Sequence, residues 1–108
     1  MTINEYQKKC ISALPKFMYR GEQTLHALRN LSGVSEENLT LYNKTASEGS
    51  ELPKEALLDN LSETLFSVAI AADAFDVPLA DIFKRSVGKV DGVLEKKKAR
   101  SETDAGDK

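Results

Sequence analysis

The side chains best suited to chemistry are carboxylates in the middle of the chain. Asp59 and Glu63 are four residues apart in a segment of helical apolar spacing, and Glu37 lies at the start of another such segment. Because residues three or four apart project from one helix face, Asp59 and Glu63 can form a metal-binding pair. Alternatively, Glu37 interacts with a helix dipole and Glu63 faces solvent.

Other chemistries find little support in the sequence. Cys10 is the only cysteine, which excludes an intramolecular disulfide and a cysteine metal cluster. His26 is the only histidine, and on a leucine-rich helix it is more typical of a partly buried packing residue than of a ligand. Tyr6, Tyr19 and Tyr42 can stack on a base, although packing in the core or at its rim is favoured. The sequence contains no glycine-rich phosphate loop, nucleophilic triad or zinc spacing.

Charge and hydropathy restrict the partners and the compartment. The net charge of −2 argues against nucleic-acid binding, and the dense basic run, which includes Lys96 and Arg100, suits the C-terminal end of a solvated helix. The first ten residues lack the apolar segment of a signal peptide, and no apolar run approaches the roughly 18 residues of a membrane span. We therefore expect a cytoplasmic protein without membrane association.

The pattern of apolar residues predicts an all-α fold of four to five helices. Thr2 and Glu5 form a capping box that begins the first helix. A second helix is predicted over residues 22–31, and Gly33, two residues later, is expected to stop or bend it. A third begins at Ser35 and fades by residue 46, and residues 47–53 form the clearest loop.

The two later helices are the longest. Residues 53–74 begin at a first-turn proline and carry a broad apolar stripe, so we expect the central, most buried helix there. The last helix opens at Asp76 and Pro78, with a predicted buried face at Leu79, Ile82, Phe83, Val87, Val90 and Leu94. We predict one domain over residues 1–95 and a polar, disordered tail over residues 96–108. So much apolar helix surface on a short chain predicts at least a dimer.

Three stretches together resemble the MazG-like nucleotide pyrophosphohydrolase family. They are MTINEYQKKC at the start, LHALRNLSGVSEENLTLYNK at residues 25–44 and LPKEALLDNLSETLFSVAIAADAFDVPLADIFKRSVGKV at residues 52–90. The resemblance implies a helical bundle completed by dimerisation or tetramerisation. It also implies Mg²⁺-dependent hydrolysis of nucleoside triphosphates to monophosphate and pyrophosphate, with Glu-x-x-Glu on one helix and Glu-x-x-Asp on the next.

The chain departs from that signature in both motifs. The first motif aligns with residues 34–37, where Val34 replaces the first carboxylate and Glu37 keeps the second. A shift of three residues instead makes Glu37 the first acid and Thr40 the second. The second motif aligns with residues 60–63, where Asn60 replaces the first carboxylate and Glu63 stands for aspartate. Glu37 and Glu63 are thus the catalytic candidates, with Asp59 as a further metal ligand.

Two positions on the last helix complete the candidate site. Ser86 stands where the family often has asparagine, and the lysine three residues later is kept as Lys89. With Asn60 they form the predicted ligand-binding set. We expect a protein that binds a nucleotide or a nucleotide-derived molecule with weakened or lost hydrolysis and a weakened Mg²⁺ site. The alternatives are an active Mg²⁺-dependent pyrophosphohydrolase and a helical interaction module without nucleotide chemistry.

Overall fold

The computed structural model describes residues 1–16 and 18–106, with side chains as far as Glu102. This part of the chain forms four α-helices and contains no β-strand: α1 (Ile3–Ser12), α2 (Arg20–Glu48), α3 (Lys54–Ala74) and α4 (Leu79–Gly106). The all-α prediction is confirmed. As predicted, α1 begins at a Thr2 cap, whose hydroxyl accepts a hydrogen bond from the Glu5 backbone N–H at 3.1 Å.

Helix α2 is continuous where the sequence predicted a break. It runs for 29 residues through Gly33, and Ser35 lies inside the helix instead of capping a new one. A glycine inside a helix costs about 1 kcal/mol relative to alanine, and packing along α3 outweighs that cost. The buried positions of α2 are Gln23, Ala27, Val34 and Thr45. The helix ends at Gly49, whose φ of 68° is the left-handed conformation typical of a helix terminus.

Helix α3 is the central element, as predicted. It contacts each of the other three helices. Its buried residues lie mainly in its second half and are mostly small: Ser67, Ala69, Ile70, Ala72 and Ala74. Small side chains let neighbouring helices approach closely. The first half is different, because Leu58, Leu61 and Leu65 of the predicted stripe are exposed in the single chain.

Two polar side chains fasten the end of α3. Gln7 of α1 donates hydrogen bonds to the carbonyls of Ala69 and Val77, and its Oε1 accepts one from the Leu79 N–H at 2.9 Å. Arg20 of α2 donates to the carbonyls of Asp73 and Ala74. The Arg20 bonds reach two of the carbonyls that the end of a helix leaves without an intrahelical partner, and the Leu79 bond does the same for an N–H at the start of α4. They also fix the turn that sends the chain into α4.

Helix α4 leaves the core soon after it begins. Leu79 is buried and Ile82 is half-buried, but Phe83, Val87, Val90 and Leu94 are exposed. The predicted buried face is therefore wrong for the single chain, because α4 contacts only α1 and α3. Its backbone is helical as far as Gly106, beyond the last apolar repeat. Residues 107 and 108 lie outside the described residues, and the division into domain and tail stays a prediction.

Candidate functional site

The interface between α2 and α3 carries polar side chains that bond directly across it. We call this set the polar ladder; its members are Gln23, Asn30 and Asn38 of α2 and Asn60, Glu63, Ser67 and Asp73 of α3. Both helices are long and run side by side, so successive rungs lie one above another. The ladder coincides with the region in which the resemblance places the acidic motifs.

The central rung joins Asn30 to Glu63. The Asn30 side-chain amide donates to Glu63 Oε1 at 2.8 Å and also to the hydroxyl of Ser67, which is almost fully buried. Sequence reasoning named Glu63 but missed Asn30 and Ser67. A signal for the α2 residues did exist, because Gln23, Asn30 and Asn38 recur at intervals of seven and eight residues, which places them on one face of a long helix.

A second rung joins the two amides of Asn38 and Asn60. Asn60 Nδ2 donates to Asn38 Oδ1 at 2.8 Å, and the Asn60 side chain is half-buried. At the end near the α3–α4 turn, Gln23 Nε2 donates to the Ile70 carbonyl and to Asp73 Oδ2. Asn60, predicted as a ligand-binding residue, thus has one side of its amide engaged within the protein.

The predicted acidic residues do not gather into one cluster. Glu37 is exposed on α2 and Asp59 is exposed on α3, whereas Val34, at the first position of the first motif, is buried with 7% exposure. Among the described residues, no group of three or more His, Cys, Asp or Glu side chains is placed to hold a metal ion.

The polar ladder supplies few ligands for a Mg²⁺ ion. It offers the single carboxylate of Glu63 at its central rung, and the neighbouring Asn30 directs an N–H donor at that carboxylate. Mg²⁺ requires oxygen ligands in near-octahedral geometry. The N–H of Asn30 uses one acceptor direction of Oε1, so a cation at this rung would be left with Glu63 Oε2 as its main protein ligand.

Ser86 lines a separate apolar cavity of about 470 Å³ between α1, α3 and α4. The other lining residues are Met1, Thr2, Ile3, Tyr6, Leu65, Val68, Leu79, Ile82 and Phe83. Lys89 is exposed three residues beyond Ser86, so the two side chains project from the same face of α4. The cavity walls are therefore almost entirely apolar, and Lys89 lies one helical turn beyond Ser86, outside the lining residues.

Tyr6 connects this cavity to the polar ladder. Burial raises the pKa of its phenol to about 12, and a hydrogen bond with Cys10 and the charge of Glu63 act in the same direction. The influence of Glu63 indicates that the phenol lies near the central rung. The aromatic ring lines the cavity, so one residue borders both regions.

The remaining candidate residues do not join either region. His26 is exposed, so the predicted packing role is wrong: its position on α2 faces solvent instead of α3. Tyr19 and Tyr42 are also exposed, at 76% and 55%. Cys10 packs in the core cluster with Ala69 and Leu79, as expected of a small apolar side chain.

Comparisons with family models, curated proteins and solved structures found no match for this chain. None of the helices in the part of the chain that the structure describes is long and apolar enough to cross a membrane.

Proposed function

We propose that this protein binds a nucleotide or a nucleotide-derived molecule and that its capacity for hydrolysis is weakened or lost. The observation that carries the proposal is the hydrogen bond from Asn30 to Glu63. In the family that the sequence resembles, this region supplies several carboxylates to Mg²⁺. Here an amide occupies the one carboxylate of the central rung, which supports ligand binding without metal-dependent cleavage.

The apolar cavity is the proposed binding site. Ligand sites are commonly apolar clefts with a few convergent polar groups. An aromatic base fits against Tyr6 and Phe83, which line the cavity. Ser86 lines the cavity, and Lys89, which follows one helical turn later and is exposed, is the cation that we propose neutralises part of the charge of the phosphate chain.

Calorimetry against a panel of nucleoside mono-, di- and triphosphates, with and without Mg²⁺, tests the proposal directly. We expect binding that does not require Mg²⁺, and chromatography of the mixture should return intact nucleotide. Lys89→Gln should weaken binding by roughly 10- to 100-fold, since a hydrogen bond to a charged group contributes about 1.5–3 kcal/mol. Lys98→Gln, on the same helix but another face, is the matched control and should bind normally.

Two outcomes of the same experiment would contradict the proposal. Formation of monophosphate and pyrophosphate only when Mg²⁺ is present would favour the hydrolase alternative. The exposed carboxylates of Glu37, Asp59 and Glu63 are the available ligands for that ion. Absence of binding to every nucleotide in the panel would leave the interaction-module alternative.

A further inference from the structure

Helices α3 and α4 each carry an apolar stripe that extends from the core onto the exposed surface. We define the α3 stripe as Leu58, Leu61 and Leu65, which are 44–58% exposed, and the α4 stripe as Val87, Val90, Val93 and Leu94, which are 42–64% exposed. The α3 stripe lies opposite the face that packs on α2, since its members are offset from Asn60, Glu63 and Ser67 by about half a turn. Each stripe is therefore a helix face without a partner in the single chain.

The amount of open surface is far above that of a compact monomer. The chain exposes 8480 Å², whereas a folded monomer of 11.9 kDa exposes about 5,900 Å². The excess of about 2,500 Å² exceeds the roughly 800 Å² that each partner buries in a standard protein interface. The radius of gyration is 18.7 Å, against about 13 Å for a compact domain of this length.

One side of each stripe carries charges of a single sign, and the two signs are opposite. Glu55 and Asp59 are four residues apart along one side of the α3 stripe. Lys96 and Arg100 are likewise four residues apart along one side of the α4 stripe, where they border a shallow apolar depression with Val93. Pairing α3 with α3, or α4 with α4, would bring like charges together, whereas pairing α3 with α4 would bring opposite charges together.

We propose that a second copy of this chain covers both stripes, with the α4 stripe of each protomer packed on the α3 stripe of the other. The two contacts are equivalent, so the arrangement closes as a two-fold dimer. The distal half of α4, which leaves its own core, then completes the core of the partner. This proposal does not rest on nucleotide binding, because every residue of the two stripes except Leu65 lies outside the proposed ligand cavity.

Cysteine cross-linking between singly substituted chains tests the arrangement. Leu61→Cys and Val90→Cys chains are prepared separately, mixed, allowed to exchange subunits and oxidised. We expect a disulfide-linked dimer containing one chain of each kind, identified by mass spectrometry, and little cross-linking in either chain alone. The wild-type chain is the blank, because its Cys10 is buried. A mixture of Ser32→Cys, on an exposed part of α2, with Val90→Cys is the control for random collision.

Each alternative arrangement gives a different result. Efficient cross-linking of Val90→Cys with itself would show that α4 pairs with α4, and efficient self-linking of Leu61→Cys would show that α3 pairs with α3; either overturns the proposal. Light scattering should return twice 11.9 kDa at tens of micromolar for the wild-type chain. A monomer mass there would overturn it as well, whatever the nucleotide calorimetry shows.

Discussion

At the scale of single residues, the amides of the polar ladder carry the largest consequences. A carboxylate in a sequence indicates a possible metal ligand. An asparagine is equally typical of an exposed surface and of an interface between helices, so it does not by itself indicate a site. Glu63 could therefore be named as a site residue from the sequence, whereas the spacing of Asn30 places it on one helix face with Gln23 and Asn38 but does not identify Glu63 as its partner. The partner is set by the alignment of α2 against α3, which depends on α2 being a single helix.

Replacing Asn30 tests the central rung. Asn30→Ala should reduce the free energy of unfolding by about 1–3 kcal/mol, because it leaves the buried Ser67 hydroxyl and the Glu63 carboxylate without their donor. Asn43→Ala, an exposed asparagine on the same helix, is the control and should be nearly neutral. Urea denaturation of both variants gives the comparison, and equal stabilities would show that the rung contributes nothing.

Replacing Val34 asks whether that position belongs to a site or to the core. With 7% exposure, it should not accept a carboxylate, so Val34→Glu is expected to cost roughly 3 kcal/mol or more. Val34→Leu provides an apolar control of similar placement. A stable Val34→Glu protein that gains Mg²⁺ affinity in calorimetry would instead establish a degenerate metal site there.

The Tyr6 phenol makes stability depend on pH in the alkaline range. Its pKa is raised to about 12 in the folded protein, above the ordinary value of about 10. The unfolded chain therefore releases this proton first, and the stabilisation present below pH 10 is lost as the pH rises toward 12. Partial exposure limits the loss to about 1–2 kcal/mol. In urea denaturation at pH 9 and 11.5, Tyr6→Phe should lose correspondingly less stability than wild type; parallel losses would refute this origin.

At the scale of helices, local signals predicted the beginnings and ends better than the packing. The Thr2 cap, the loop before Pro53 and the turn at Pro78 all lie where the sequence indicated. The break at Gly33 was wrong because a single glycine weakens a helix only slightly, and the buried residues on either side hold α2 against α3. Apolar periodicity in α4 predicted a buried face that the single chain buries only near its start, because the pattern contains no information on what packs against the helix.

The two glycines that bear on α2 should respond oppositely to alanine. At Gly33 an added Cβ meets no atom within 4 Å, so Gly33→Ala should stabilise the protein by about 0.5–1 kcal/mol. At Gly49 the φ of 68° disfavours any Cβ, so Gly49→Ala should destabilise it by about 1 kcal/mol. Thermal unfolding separates the two effects. A destabilising Gly33→Ala would contradict a continuous α2.

At the scale of the whole molecule, stability should depend on protein concentration. If a second copy covers the two stripes, dilution favours unfolding, and Tm should rise between about 2 and 200 µM. Leu61→Lys, within the α3 stripe, should abolish that dependence and lower Tm. Leu39→Lys, an equally exposed leucine on α2, should retain it. A wild-type Tm that is constant over this range would contradict the dimer.

The three hydrogen bonds of Gln7 have a consequence for the order of events during synthesis. They link α1 to residues 69, 77 and 79, which are synthesised after it. The ribosome adds about 5–20 residues per second, so roughly 4 to 14 seconds pass between the synthesis of α1 and that of the residues that bury it. During that interval Cys10 remains accessible to oxidants and the apolar side of α1 to chaperones. Helix α1 therefore depends on the surroundings of the nascent polypeptide until residues 69–79 have been made.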